Sequence, residues 1–131
     1  MTGEPILIVD DNPQNLKLVR VLLAAEGYAV RTAADGEEAV RLLESFTPRL
    51  ILMDIQLPGI DGLELTRRLK ADERRKDIIV VALTAYAMKG DEDKARAAGC
   101  DGYIAKPIDT DSLARTVREH LARAEAERAP R

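Results

Sequence analysis

Five short runs of apolar, largely β-branched residues recur along the 131-residue chain, and each is followed by a longer segment of helical periodicity. The runs are ILIV at 6–9, YAVRTA at 28–33, RLILM at 49–53, IIVVAL at 78–83 and YIA at 103–105. Between them, Leu16, Val19, Leu22 and Leu23 share one helical face. Ala39, Leu42, Leu43 and Phe46 follow the i, i+3, i+4, i+7 pattern. Leu65 and Leu69 are four apart, as are Leu113, Val117 and Leu121. Such alternation predicts a parallel sheet with helices on both faces. The runs that are apolar at every position fit strands buried on both sides.

The punctuation agrees with this division. Asn12-Pro13 predicts a helix start, with Asn as cap and Pro at the first helical position. Asp35 is placed to cap the second helix, with Glu37 and Glu38 in its first turn, where the helix dipole favours anions. Asp61-Gly62 opens the third. Asp91, Glu92 and Asp93 stand early in the fourth, which Gly99 can end. Asp109 or Thr110 starts the fifth. The terminal AEAERAPR is polar and is expected to fray.

Composition narrows the class. Apolar residues make up 46% and charged residues 33%, enough for one core and a soluble surface. Aromatics are only 3%, so that core must be aliphatic. A net charge of −3 with no basic stretch argues against nucleic acid as the main partner. One cysteine, Cys100, allows no intrachain disulfide, and with the single His120 it cannot build a Cys/His zinc cage. No apolar run approaches the roughly 18 residues of a membrane span. MTGEPILIVDD lacks the basic region and long apolar stretch of a signal peptide. A cytoplasmic protein is the expectation.

In open sheets of this kind the site lies beyond the carboxyl ends of the strands. Asp10 and Asp11 follow the first run and Asp54 the third. Thr84 ends the fourth, and Lys106-Pro107 follows the fifth; the second offers only Ala34 and Asp35. A charge closing the apolar LILMDIQLP stretch at 50–58 is costly unless compensated. Three carboxylates at one sheet edge repel, and their pKa values rise unless a cation joins them. Hard oxygen ligands suit Mg²⁺. With Lys106 as a second positive charge and Thr84 as a donor, the set is built to hold a phosphoryl group. One of its carboxylates can be the nucleophile that accepts it.

ILIVDDN, LILMDIQLPGIDGLE, VVALTA and YIAKPI resemble the receiver domains of two-component response regulators over about residues 5–124. TAYAMKGDE and GCDGYIAKPI further resemble single-domain regulators of the DivK kind and the receivers of hybrid kinases. The resemblance implies a flavodoxin-like (βα)5 doubly wound parallel sheet of strand order 2-1-3-4-5. The receiver would occupy residues 1–124, with 125–131 as a polar tail. It implies Asp54 as phosphoacceptor, Asp11 as a direct Mg²⁺ ligand, Asp10 as an acid reaching the metal largely through water, and the Gln56 backbone carbonyl as a further ligand. Mn²⁺ would substitute for Mg²⁺. Thr84 and Lys106 would contact the phosphoryl group, Pro107 would follow a cis bond, and Tyr103 would be the switch aromatic. Gln56 and Tyr86 would tune the phosphorylated lifetime.

The same resemblance implies a sensor histidine kinase or histidine phosphotransfer protein as donor. A downstream effector would be contacted through the fourth helix, fifth strand and fifth helix. The chain would be a monomer or weak dimer, and not an enzyme beyond its own phosphoryl transfer and autodephosphorylation. A relay intermediate or phosphate sink is the alternative to a terminal output.

Other readings make different demands. Asp54 alone would be a turn residue, Asp10-Asp11 capping acids and Lys106 a surface lysine. His120 is expected on solvated surface, Cys100 in packing, and DERRK at 72–76 in a solvated connection. A haloacid-dehalogenase-type phosphatase needs a second acid two residues after the nucleophile, where Gln56 stands. A flavin or nucleotide site needs a phosphate-cradling first loop, and DDNPQN is acidic. A purely structural domain with a dead site would be separated by metal binding dependent on Asp11 and Asp54.

Overall fold

A computed structural model of the chain describes residues 3–57, 59, 61–84, 90–106 and 108–128. Five strands and five helices alternate: β1 (Pro5–Val9), α1 (Pro13–Ala25), β2 (Ala29–Ala33), α2 (Gly36–Leu43), β3 (Leu50–Asp54), α3 (Gly62–Ala71), β4 (Ile79–Thr84), α4 (Asp91–Ala98), β5 (Gly102–Ala105) and α5 (Leu113–Arg128). The strands form one parallel sheet in the order β2-β1-β3-β4-β5. The chain therefore winds outward from β1 in both directions, and the crevice between β1 and β3 is the switch point where such folds place their sites.

Side chains alternate between the sheet's two faces and build two aliphatic cores. Leu7, Val9, Ile51, Met53, Val80 and Ala82 pack on one face with Leu65 and Leu69 of α3 and Ala95 of α4. Ile6, Ile8, Leu50, Leu52, Val81 and Leu83 pack on the other with Val19 and Leu23 of α1 and Val117 and Leu121 of α5. Every residue of β3 and β4 is buried, which is why those runs carry no polar alternation. Among the described residues no helix is long and apolar enough to cross a membrane.

The helix starts follow local chemistry. The Asn12 side chain accepts from the N–H groups of Gln14 and Asn15, with Pro13 next to it. Asp35 accepts from Glu38 N–H at 2.8 Å, and Glu38 reaches back to Ala34 N–H at 2.6 Å. Asp61 accepts from Glu64 N–H at 2.8 Å. Gly99 ends α4 at φ +106°, a left-handed conformation that glycine adopts without strain.

Four features differ from the sequence reading. Phe46 does not continue α2, whose last turn tightens: Ser45 N–H donates to Leu42 O. The Phe46 ring instead packs on the core beneath Arg31, whose guanidinium lies 5.3 Å from its centroid. The last helix runs to Arg128, well past Leu121, because Ala, Glu and Arg favour helix. Arg75, within the 72–76 connection, is anchored: it donates to Asp72 at 2.6 Å and to Leu43 O at 3.0 Å. His120 is half-buried rather than solvated, packed so closely on Gly102 that a Cβ there would lie 2.5 Å from its Nε2.

Candidate phosphoryl-acceptor site

The sheet brings the expected acids together. Val9 of β1 pairs with Met53 of β3, so the residues that follow them, Asp10 and Asp54, emerge side by side. A carboxylate oxygen from each of Asp10, Asp11 and Asp54 lies within 4.8 Å of the others. Asp10 is fully buried and Asp54 is 4% exposed, while Asp11 is exposed. Among the described residues, one cation meets the charge of this buried pair. Lys106 Nζ lies 3.0 Å from Asp10 Oδ2 and 3.1 Å from Asp54 Oδ2.

Each carboxylate is also oriented by backbone. Gln56 N–H donates to Asp54 Oδ1 at 2.9 Å, an Asx-type turn that holds the side chain over the β3–α3 loop. Asn12 N–H donates to Asp10 Oδ1 at 2.9 Å. Lys106 is aimed by its main chain, whose N–H donates to Thr84 O at 2.6 Å. That bond ties the ends of β4 and β5 and brings buried Thr84 to the same edge. Gly62 lets the start of α3 close over β3. A Cβ at Gly62 would overlap the Asp54 carbonyl oxygen and lie 2.8 Å from Ile55 Cα.

The electrostatics match an anionic crevice. Burial raises the pKa of Asp54; the Gln56 N–H bond and the Lys106 ammonium oppose the rise, and the Asp10 charge adds to it. Burial disfavours the Lys106 ammonium, yet its bonds and charge interactions with Asp10 and Asp54 outweigh that and raise its pKa. Lys106 therefore stays charged at neutral pH. The donor set, three carboxylates of which two are buried, is all hard oxygen, which fits a small divalent cation such as Mg²⁺.

Tyr103, expected as a switch aromatic, pairs in register with Ala82 and packs on the α3–α4 side of the sheet. Its hydroxyl is buried with no hydrogen-bond partner among the described residues. Gln56 is exposed beside Asp54. Pro58, Tyr86 and Pro107 lie outside the described residues. Sequence reasoning missed Asn15, whose side-chain amide donates to Asp10 Oδ2 at 3.3 Å. The available signal was a polar residue one position from Leu16, a turn after the acid pair. It also missed Gly62 as a contact of Asp54.

The comparisons with known proteins agree with this geometry. The family model of the response regulator receiver domain matches residues 6–118. The polar-differentiation response regulator DivK of Brucella ovis is 47% identical over 116 residues, covering 88% of this chain and 94% of DivK. A CheY-like receiver domain protein from Methanospirillum hungatei superposes with a TM-score of 0.88 at 32% identity, covering 96% of this chain and 99% of that one. The receiver domain of the sensor histidine kinase PA1611 of Pseudomonas aeruginosa, solved with a magnesium ion in its active-site cleft, gives 0.83 at 38% identity, covering 92% and 99%. The chain belongs to the response regulator receiver family of two-component signalling.

Proposed function

We propose that this chain accepts a phosphoryl group from a phosphohistidine onto Asp54 and signals through protein contacts, as a DivK-like single-domain regulator. The observation that carries the reading is the Lys106 ammonium shared between Asp10 and Asp54 at 3.0 and 3.1 Å. It opposes the burial that disfavours the Asp54 carboxylate at a strand end, and it stands ready for further negative oxygens. In the transfer, an Asp54 carboxylate oxygen bonds to phosphorus as the donor's imidazole N–P bond breaks, leaving an acyl phosphate on Asp54. Lys106 then turns to the phosphoryl oxygens, and Thr84 donates its hydroxyl to them. Asp10, Asp11, Asp54 and the Gln56 carbonyl would hold Mg²⁺, with Mn²⁺ as a substitute. When bound, the ion neutralises charge that spreads over the phosphoryl oxygens.

Donor docking is supported by α1. Leu18 and Val21 are two of the three large apolar side chains exposed among the described residues, and both lie on the helix that starts beside Asp11. The donor is a histidine kinase or histidine phosphotransfer protein. The receiver unit is 1–124, acting in the cytoplasm as a monomer or weak dimer. A net charge of −3 and the lack of a basic stretch in the sequence argue against nucleic acid as a partner.

Readout is a population shift. Thr84 moves toward the phosphoryl group and Tyr103 reorients, changing the α4–β5–α5 face for an effector. Support comes from α4, which has no side-chain N-cap and, among its described residues, buries Ala95 and Ala98. Tyr86 and Gln56 set the lifetime of the acyl phosphate; faster decay in Tyr86→Ala is the expected result, and unchanged decay removes that role. A relay intermediate or sink would use the same acceptor but return phosphate to a histidine. The test is transfer from a radiolabelled phosphohistidine domain: label should move to wild type and not to Asp54→Asn. Label that moves equally to both would overturn the assignment.

A further inference from the structure

Among the described residues, Asp10 has three donors on a fully buried carboxylate. Oδ1 accepts from Asn12 N–H, and Oδ2 accepts from both the Lys106 ammonium at 3.0 Å and the Asn15 side chain at 3.3 Å. Only the NH₂ end of Asn15 can face that oxygen, since its carbonyl would meet a carboxylate. Asn15 is half-buried in the first turn of α1, and its side chain takes no part in capping, which Asn12 supplies. The two donors on Oδ2 differ in one respect. Lys106 is shared with Asp54, whereas the Asn15 amide donates to Asp10 alone among the described residues.

A phosphoryl group on Asp54 brings new anionic oxygens that compete for the shared ammonium. If Lys106 turns to them, Asp10 Oδ2 loses its charged donor inside the protein, where an unpartnered carboxylate oxygen is expensive. We propose that Asn15 is a positioning residue of this site: its amide holds the Asp10 carboxylate in the cation-binding orientation and keeps it partnered while Lys106 leaves for the phosphoryl group. The inference rests on the reading of Asp54 as acceptor and of Asp10 and Asp11 as cation ligands. Asn15 thereby makes Lys106 free to serve two clients in turn.

The test is an NMR titration of backbone amides with Mg²⁺ alone, on wild type, Asn15→Leu, Asn15→Gln and Asp11→Asn, with thermal unfolding of each in EDTA. Leu removes the donor and is a good helix former, so the variant should stay folded in EDTA, with a Tm lowered by the bond lost to buried Asp10. Its Mg²⁺ affinity should fall about tenfold, the lower end for residues that orient metal ligands. Asn15→Gln keeps an amide and should recover most of the loss. Should Asn15→Leu fail to fold, Asn15→Ala, which only deletes the amide, takes its place. Wild-type affinity in the variant lacking the amide, with binding still dependent on Asp11, overturns the role of Asn15 and leaves the acceptor reading standing. Binding by wild type no tighter than by Asp11→Asn overturns both.

Discussion

Asp54→Asn should make the metal-free protein more stable. Asp54 is 4% exposed, so its ionised form has lost most of its hydration. Repulsion from Asp10, with oxygens within 4.8 Å, costs at least about 3.5 kcal/mol at an effective dielectric constant near 20. Exposed Asp11 adds a smaller, screened amount. Attraction to Lys106 at 3.1 Å returns about 5 kcal/mol on the same scale, so the charge interactions roughly cancel. What remains is desolvation of several kcal/mol for a buried ion, offset by roughly 1.5–3 kcal/mol from the Gln56 N–H bond. Asn keeps an oxygen for that bond and carries no charge. A net gain of about 2 kcal/mol follows, or about 5–10 °C in Tm for a chain of this size.

The assay is thermal unfolding in EDTA and again with millimolar Mg²⁺. The gap should shrink with Mg²⁺, because wild type binds it more tightly. It should also depend on pH. Asp54 has a raised folded pKa, so its penalty is absent below the unfolded value and complete once pH exceeds the folded one. The curves of wild type and Asp54→Asn should therefore converge in acid. A variant less stable than wild type in EDTA at neutral pH would refute the reasoning.

Two further outcomes follow from the packing. Gly62→Ala places a methyl into the Asp54 carbonyl and near Ile55 Cα, so chemical denaturation should show a loss of about 2–3 kcal/mol; an unchanged midpoint would mean that α3 moves away freely. Burial and the Arg123 charge lower the His120 pKa, against smaller opposing effects from Asp101 and Glu119. Stability is then intact above the unfolded value near 6.5 and lost as pH falls through the folded one, so wild type should lose Tm on acidification more steeply than His120→Gln.

Much of the fold was legible because its strands are buried on both faces. Runs such as LILM and IVVAL can go nowhere else in a chain this short, and Asn12, Asp35 and Asp61 mark helix starts with their own side chains. The acids and Lys106 were legible because each stands at a strand end, where topology does the gathering. Phe46, His120 and the length of α5 were not, since each depends on tertiary neighbours or on propensity: Arg31, Gly102 and the helix-favouring residues past Leu121. Asn15 escaped for a similar reason. Its role comes from a 3.3 Å approach to Asp10 that helix periodicity does not specify.

The central claim is that Asp54 is the acceptor in a cation-dependent site. It is tested most directly by intact mass after incubation with acetyl phosphate, for wild type and Asp54→Asn, with Mg²⁺ or with EDTA. The account predicts the gain of one phosphoryl group in wild type with Mg²⁺, and none in EDTA or in the variant. Equal phosphorylation of Asp54→Asn, or a gain that persists in EDTA, would contradict it.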